Sequence, residues 1–413
     1  MRFRAALLSV FVALLVAVLA APGLFARDPA SAKSARAAEA KRPASPGPAE
    51  IARRIVNDVL KVRPEEAVQV NTDLSNPALV DEVAVAISRA GGFPHIVYTS
   101  PRLTRRILEE TPEPYLAQTP DYTIKMLRVI DATVNLLSPD SPTVMAQVPE
   151  HRLALVRKAN EPVAERIQAS PGRVVSLGNN GIPSKDLAEF HNAPLPALET
   201  NFWRAVDVSP AELRARGEKV RAVLSEARTL RLTAPNGTQL EMKLVGRPVI
   251  LNTGDIPESR QVSEEHQLRQ VWLPAGEAFT SPLETSANGI LRVDSAEYRG
   301  IKVRDLRLMF SDGRVVDLTA EKGADALQEA LLLSSGDKDR IAVIDVGLNP
   351  HSRLIPGSTY HSYEMEGVVT VGIGGIAWAP TENRSDFAAT FFLPNATLEA
   401  DGRVIVKEGK LQI

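Results

Sequence analysis

Two glutamates stand seven positions apart in the segment WLPAGEAFTSPLETSANG, which covers residues 272–289. Glu277 and Glu284 lie there among Gly, Pro, Ser and Thr residues, where an acidic side chain adds little to packing. Carboxylates can bind hard divalent ions or transfer protons in catalysis. They can equally accept hydrogen bonds from the backbone N–H groups of a loop. The residue types alone leave metal binding and loop capping as alternatives for both glutamates.

The segment HSYEME, residues 361–366, brings an imidazole close to two further carboxylates. His361, Glu364 and Glu366 are of the types that bind zinc-class ions, so a metal site shared with Glu277 is one interpretation. The other is that His351 and His361 are solvated side chains of a loop. Loop histidines without a fixed partner make poor ligands, and the sequence favours this second interpretation.

Composition limits the remaining chemistry. The chain has 413 residues and no cysteine, which excludes disulfides, zinc–thiolate sites and a cysteine nucleophile. Lys and Arg number 48 and Asp and Glu 50, so no basic excess points to nucleic acid. The sequence contains no G-x-S-x-G, P-loop, H-E-x-x-H or EF-hand motif. Small-molecule or peptide partners are therefore the expectation.

The amino terminus has the pattern of an export signal. Arg2 and Arg4 precede the apolar run AALLSVFVALLVAVLAA, which ends in small residues. An uncleaved membrane anchor is the alternative, since about 17 residues is the lower limit for spanning a bilayer. The pattern favours cleavage, with residues 1–26 as signal peptide, residues 27–48 as a disordered Ala/Pro-rich tether, and no membrane attachment afterwards. The predicted location is periplasmic or extracellular.

The elements that must position the acidic residues divide the chain into two halves. Residues 49–225 alternate strands such as AVQVNT with helices such as NPALVDEVAVAISRAGG, for which Asn76 is the predicted N-cap. This alternation predicts a layered α/β domain with a parallel sheet. Residues 226–413 contain three hairpin signals, at 236–237, 312–313 and 401–402. They predict an antiparallel-rich α+β domain with one helix, ADALQEALLLS.

The carboxy-terminal half resembles the M29 family of metallo-aminopeptidases, of the aminopeptidase T type. Four segments carry the resemblance in order: LPAGEAFTSPLETSANG, IAVIDVGLNP at 341–350, YEMEGVVTVGIGG at 363–375 and NRSDFAATFFLPNATLEADGRVIVKEGK at 383–410. The first is the most specific, and the later ones match in framework more than in chemistry. The resemblance implies a two-domain aminopeptidase T-like fold and two divalent metal ions that activate water.

When the family's motif is carried over position by position, the resemblance implies that Glu277 is a metal ligand. Glu284 matches the next acid of the motif and is the catalytic candidate. In the second segment Val343 replaces a ligand glutamate. Asp345 lies two residues further on, and in a strand it would share the face of Val343.

The third and fourth segments depart further from the family pattern. Glu364 or Glu366 can supply the acid of the third segment, but Thr370 or Val371 stands where its histidine should be. In the fourth segment, alanine and threonine replace the ligand histidine and aspartate, at Ala388 and Thr390. The resemblance thus implies lost ligand positions at Val343, Val371, Ala388 and Thr390, with Glu277, Glu364 and Glu366 as remnants of the metal site.

These departures predict an exported, aminopeptidase-like protein whose metal site is degenerate. We expect no cofactor, no catalysis by the family's mechanism, and a peptide or protein ligand in the cleft. The alternative is an active metallo-aminopeptidase that releases N-terminal residues with zinc, cobalt or manganese. Its site would be rebuilt from Glu277, Glu284, Asp345, His361, Glu364 and Glu366. The resemblance also implies a homodimer.

Overall fold

The computed structural model describes residues 46–413 except 74, 138–147, 180, 299 and 357. The predicted signal peptide and most of the tether lie outside the described residues. Within the described part, no helix is long and apolar enough to cross a membrane.

The first half of the chain forms a parallel sheet with helices around it. Its strands are β1 Ala67–Thr72, β2 Phe93–Tyr98, β3 Ala132–Leu136 and β4 Arg173–Leu177. Its helices are α1 Pro48–Arg53, continued by a π-helical segment Arg54–Leu60, α2 Pro77–Arg89, α3 Pro101–Glu110, α4 Glu113–Leu116, α5 Asp121–Met126, α6 Glu150–Ala159, α7 Glu161–Gln168, α8 Lys185–Phe190, α9 Leu195–Val206 and α10 Pro210–Glu226.

Local sequence explains how these elements begin and pack. The Asn76 side chain accepts a hydrogen bond from the Leu79 N–H and caps α2, as the sequence predicts. The apolar side chains of α2 are spaced so that Leu79, Val83 and Ile87 are fully buried against the sheet.

The parallel sheet takes its last strand from the second half of the chain. The strand order is β2-β1-β3-β4-β8, and β8 is Gln270–Leu273. Three strands that belong to other sheets precede β8 in the chain: β5 Thr229–Thr233, β6 Gln239–Lys243 and β7 Ile250–Asn252. The short apolar run of β8 pairs in parallel with β4. The predicted boundary at residue 225 therefore does not separate the sheets, because the chain returns to the first one before Glu277.

The second half builds two antiparallel sheets. Its remaining strands are β9 Glu277–Thr280, β10 Asn288–Tyr298, β11 Ile301–Ser311, β12 Arg314–Thr319, β13 Ile341–Gly347, β14 Val369–Gly374, β15 Ala388–Leu393, β16 Thr397–Ala400, β17 Arg403–Lys407 and β18 Lys410–Leu411. The sheet orders are β12-β11-β10-β6-β5-β16-β17-β18 and β15-β14-β13-β9-β7. Its helices are α11 Glu258–Gln261 and α12 Ala324–Leu333.

All three hairpin predictions are confirmed: β5–β6, β11–β12 and β16–β17 pair across the predicted turns. Gly237, Gly313 and Gly402 have φ between 79° and 92°, the left-handed region that these turns require. The predicted helix is α12. The architecture is therefore an α/β half and an antiparallel-rich α+β half, as expected. The sheet β15-β14-β13-β9-β7 carries the residues considered next.

Candidate functional site

Glu277 opens β9 and its side chain is buried, with 3% of the residue exposed. One carboxyl oxygen, Oε2, accepts a hydrogen bond from Asn252 Nδ2 at 3.0 Å and another from Trp272 Nε1. Asn252 is the register partner of Glu277 on β7, so the strand pairing itself sets this contact. Glu277 is thus held inside the protein by two neutral donors, which stabilise its orientation without a cation.

Asp345 lies on the same face of the sheet as Glu277, and the two carboxyl groups interact through a hydrogen bond. It pairs with Phe279 while Glu277 pairs with Gly347, which makes the two acids diagonal neighbours on β13 and β9. The pKa of Glu277 is raised to about 8, mainly by burial. The hydrogen bond from Asn252 opposes this rise, and the charge of Glu364 contributes to it. Burial and then the charge of Glu277 raise the pKa of Asp345 well above its usual range. Both acids therefore hold their protons to higher pH than exposed carboxyl groups do.

The positions of three expected ligands lie on this face and carry neither an imidazole nor a carboxylate. Val343 and Thr390 both flank Gly372 of β14, one on each neighbouring strand. A Cβ atom on Gly372 would lie 2.6 Å from Val343 Cγ1 and 3.3 Å from Thr390 Cγ2, and would overlap the Ile376 side chain. Ala388 pairs with Gly374 on the same face and packs against this apolar cluster. Methyl groups therefore fill the space where the resemblance places ligands.

The register separates the two candidates for the third-segment histidine. Thr370 pairs with Asp345 and Phe392, so its side chain shares the face of Glu277. Val371 pairs with Ile344 and lies in the main hydrophobic core on the opposite face. The structure therefore places Thr370, and not Val371, beside the two acids.

His361 is not a solvated loop side chain, so that interpretation is wrong. Only 1% of the residue is exposed, and its φ of 49° is unusual for a residue with a side chain. Nδ1 lies 3.2 Å from the Tyr363 hydroxyl and 3.7 Å from Glu364 Oε1. The His361 ring packs against that of Phe202 in α9, a tertiary contact that the loop-like sequence could not indicate. His351 is half-buried.

Glu364 is fully buried, and Glu366 is not. Oε1 of Glu364 accepts a hydrogen bond from Ser352 Oγ at 3.1 Å. Glu366 forms an ion pair with Arg216 of α10 and retains a third of its side-chain exposure. Because the arginine already neutralises it, Glu366 does not join the buried acids.

Glu284, the catalytic candidate, is held by a bidentate ion pair. Arg247 bonds its two oxygens at 2.5 and 2.9 Å, and the Thr381 hydroxyl and the Glu382 N–H donate to it at 2.9 and 2.8 Å. Burial opposes ionisation, but these donors outweigh it and lower the pKa of Glu284. A carboxylate with every oxygen engaged is suited to fastening the 376–382 segment rather than to proton transfer.

This donor set does not fit the two-metal centre that the resemblance implies. Such a centre requires several ligands around ions about 4 Å apart. In the part of the chain that the structure describes, no group of three His, Cys, Asp or Glu side chains can hold a metal ion. The misfit lies in the residues themselves, because Val343, Ala388 and Thr390 contribute methyl groups in place of ligands.

Several residues around the acids escaped the sequence interpretation. They are Asn252, Trp272, Tyr363, Arg247 and Trp378. The Trp378 ring lies 5.7 Å from that of Trp272 and 5.0 Å from that of Phe279, forming an aromatic wall beside Glu277. The indole N–H of Trp272 was the one detectable signal, since a buried tryptophan five residues before a glutamate needs an acceptor.

Comparison with known proteins agrees with this geometry and with the segment order. The sequence pattern of the thermophilic metalloprotease (M29) family matches residues 49–339. The chain belongs to the M29 family. The match ends just before β13, so Asp345, Thr370 and Ala388 lie beyond the part that the M29 pattern covers.

Individual M29 relatives differ in how much they match. Aminopeptidase AmpS of Bacillus subtilis (strain 168) is 32% identical over 101 residues, which is 24% of this chain and 23% of AmpS. The alignment thus spans about a quarter of that curated relative. The solved structure of AmpT from Thermus thermophilus superposes with a TM-score of 0.67 at 17% identity, over 89% of this chain and 99% of AmpT. The aminopeptidase T-like fold is therefore confirmed.

The M29 fold also accommodates a different named activity. The structure of 2,5-dihydroxypyridine dioxygenase from Pseudomonas putida KT2440 matches with a TM-score of 0.55 at 15% identity, covering 89% of this chain and 98% of the dioxygenase. At such identities only the fold is shared, and the function must be argued from the site.

Proposed function

We propose that this protein is an exported, non-catalytic M29 family member that binds a peptide or a protein ligand. The observation that carries the proposal is the convergence of Val343 and Thr390 methyl groups over Gly372, beside a Glu277 already satisfied by Asn252 and Trp272. Neutral donors bind the Glu277 carboxyl group and methyl groups lie on the same face, so this side chain is accommodated in the interior without a metal ion.

An active metallo-aminopeptidase is the second candidate. Pairwise contacts between buried side chains favour it: Glu277 interacts with Asp345 and Glu364, and Glu364 with His361. Carboxylates and an imidazole are ligands for zinc, cobalt or manganese. Two members of the predicted rebuilt site are otherwise engaged, because Glu284 is bound to Arg247 and Glu366 to Arg216. The non-catalytic proposal therefore explains more of the contacts.

A hydrolysis assay separates these two functions. We expect the mature protein to release no N-terminal residue from aminoacyl substrates when zinc, cobalt or manganese is added. Glu277→Gln serves as the matched variant, because glutamine has nearly the same shape and can still accept both hydrogen bonds. Metal-dependent, chelator-sensitive turnover that disappears in Glu277→Gln would establish the peptidase and refute the proposal.

Export follows from the basic residues and apolar run at the amino terminus, which lie outside the described residues. We expect the protein isolated from its native host to begin near residue 27 and to fractionate with the periplasm or the medium. N-terminal sequencing measures this directly. A soluble cytoplasmic chain that begins at Met1 would contradict export and leave the binding role to be judged separately. Homodimerisation stays a prediction from the family.

A further inference from the structure

One face of the parallel sheet in the first half of the chain is polar. Parallel sheets are ordinarily covered on both faces and are apolar on both. Here Val70, Val134 and Val175 lie on one face and belong to the main hydrophobic core. On the other face, the strand register brings six uncharged hydrogen-bonding side chains into two adjacent rows. We call these residues the polar face: Gln69, Asn71, Thr133, Asn135, Ser176 and Gln270.

A chain of hydrogen bonds crosses the polar face over three strands. Gln69 Nε2 donates to Asn71 Oδ1 at 2.8 Å, and Asn71 Nδ2 donates to Asn135 Oδ1 at 2.8 Å. Asn135 Nδ2 then donates to Ser176 Oγ at 2.9 Å. These bonds fix the orientation of the side chains. They leave Asn135 with one N–H and one lone pair, and Ser176 with its O–H and one lone pair.

Most of the polar face remains accessible. Gln69, Thr133, Asn135 and Ser176 are partly exposed, whereas Asn71 beneath them is 3% exposed. Right-handed crossovers place the helices that follow β2 and β3 over this face, because these connections run opposite to the one through α2. The apolar side chains of these helices form a separate small core, made of Leu108, Leu116, Val148 and Leu153. They therefore leave the polar face unsealed.

The position of the polar face is one at which open α/β sheets bind ligands. The strand order β2-β1-β3-β4-β8 changes direction between β1 and β3. Ligands of such sheets bind at this switch point, outside the carboxyl ends of the strands. Asn71, Asn135 and Ser176 are each the last residue but one of their strand. The chain of hydrogen bonds therefore crosses the switch point at the edge where a ligand is expected.

The chemistry of this face favours a neutral ligand. Among the described residues of the two rows, none is Lys, Arg, Asp or Glu. Asp73, the residue directly after β1, is acidic and disfavours a phosphate or carboxylate group. The accessible amide and hydroxyl groups each offer both a donor and an acceptor, as does the hydroxyl group of a ligand.

The spacing of the row separates a saccharide from a peptide. Neighbouring strands lie about 4.8 Å apart, whereas groups on one side of an extended peptide repeat about every 6.8 Å. Hydroxyl groups on successive carbon atoms of a sugar ring match the closer spacing. Phe93 and His95 are exposed on the same face at β2, and Phe93 is 64% exposed. An aromatic ring beside a few polar groups is typical of small-molecule sites.

We propose that the polar face binds a neutral saccharide at the switch point between β1 and β3. The sugar hydroxyls donate to and accept from Asn135 and Ser176, with Gln69 and Thr133 beside them. The exposed Phe93 ring contacts the apolar side of the sugar. This site is distinct from the buried acids near Glu277, and it does not depend on the proposed binding of a peptide.

Calorimetric titration of the mature protein with glucose, galactose, mannose, N-acetylglucosamine, maltose and lactose tests the assignment. We expect at least one of these sugars to bind. The phosphorylated form of the sugar that binds should have on the order of tenfold lower affinity, because the face offers no cation and Asp73 repels the phosphate. Ala-Ala-Ala should not compete with the sugar. Binding by none of the six sugars, or competition by the tripeptide, would overturn the assignment.

Asn135→Leu is expected to lower the sugar affinity on the order of tenfold, because it removes a donor and an acceptor. Thr133→Val keeps the side-chain shape and should lower the affinity about threefold. Gln328→Ala is the control, since that exposed amide lies on α12, and it should leave the affinity unchanged. Thermal unfolding verifies that each variant is folded. Full affinity in folded Asn135→Leu and Thr133→Val would overturn the assignment, whereas metal-dependent peptidase turnover would contradict only the proposed function.

Discussion

Glu277→Gln is expected to stabilise the protein at pH 8 and to change its stability little at pH 5. Burial raises the pKa of Glu277 from its ordinary 4.5 to about 8, so the folded state keeps a proton that the unfolded state releases. For an acid with a raised pKa, this stability is present below about pH 4.5 and is lost as the pH rises towards 8. At 1.36 kcal/mol per pH unit, the loss reaches on the order of 3–5 kcal/mol. Glutamine carries no such proton.

Urea unfolding of both proteins at pH 5 and pH 8 measures this difference. Glu366→Gln is the matched control, because its carboxyl is partly exposed and paired with Arg216, and it should show no gain at pH 8. A Glu277→Gln protein that is less stable than the native one at pH 8 would mean that the carboxylate is needed in its charged form, as it would be for binding a cation.

Arg247→Ala is expected to lower the free energy of unfolding by about 3 kcal/mol, because it leaves the Glu284 carboxylate buried without its cation. Both side chains are nearly buried, at 12% and 11% exposure. Arg314→Ala, which breaks the more exposed pair with Asp339, should cost less than about 1 kcal/mol. Chemical unfolding of the two variants gives the comparison.

A double variant, Arg247→Met with Glu284→Leu, tests the cause of that loss. Removing both charges together should cost less than removing the arginine alone, because no unpaired carboxylate is left in the interior. If Arg247→Ala and Arg314→Ala lowered the free energy of unfolding equally, the structural role of the Arg247–Glu284 ion pair would be contradicted. Glu284 would then again be a catalytic candidate.

The fold was predictable because its signals are local. Asn76 caps α2 through its own side chain, and the glycines at 237, 313 and 402 permit turns that fix the neighbouring hairpins. One feature of the site could also be predicted from local sequence. Alternate residues of a strand share a face, which placed Asp345 on the face of Val343, and the strand register confirms this. Each of these inferences needs only residues a few positions apart.

The rest of the site depends on contacts between distant parts of the chain. Arg247 lies 37 positions from Glu284, and nothing in either segment indicates that they pair. His361 occupies a segment with the composition of a loop, yet tertiary packing buries it beside Tyr363 and Glu364. Burial decides whether an acid is charged, and burial is a property of the assembled molecule.

Metal content measured on the mature protein, purified without chelators, tests most directly whether the inherited centre has been lost. Elemental mass spectrometry should find far less than one zinc, cobalt or manganese ion per chain, and the Glu277→Gln variant should have the same metal content. Two ions per chain in the native protein, lost in Glu277→Gln, would contradict the account and restore the metallo-aminopeptidase.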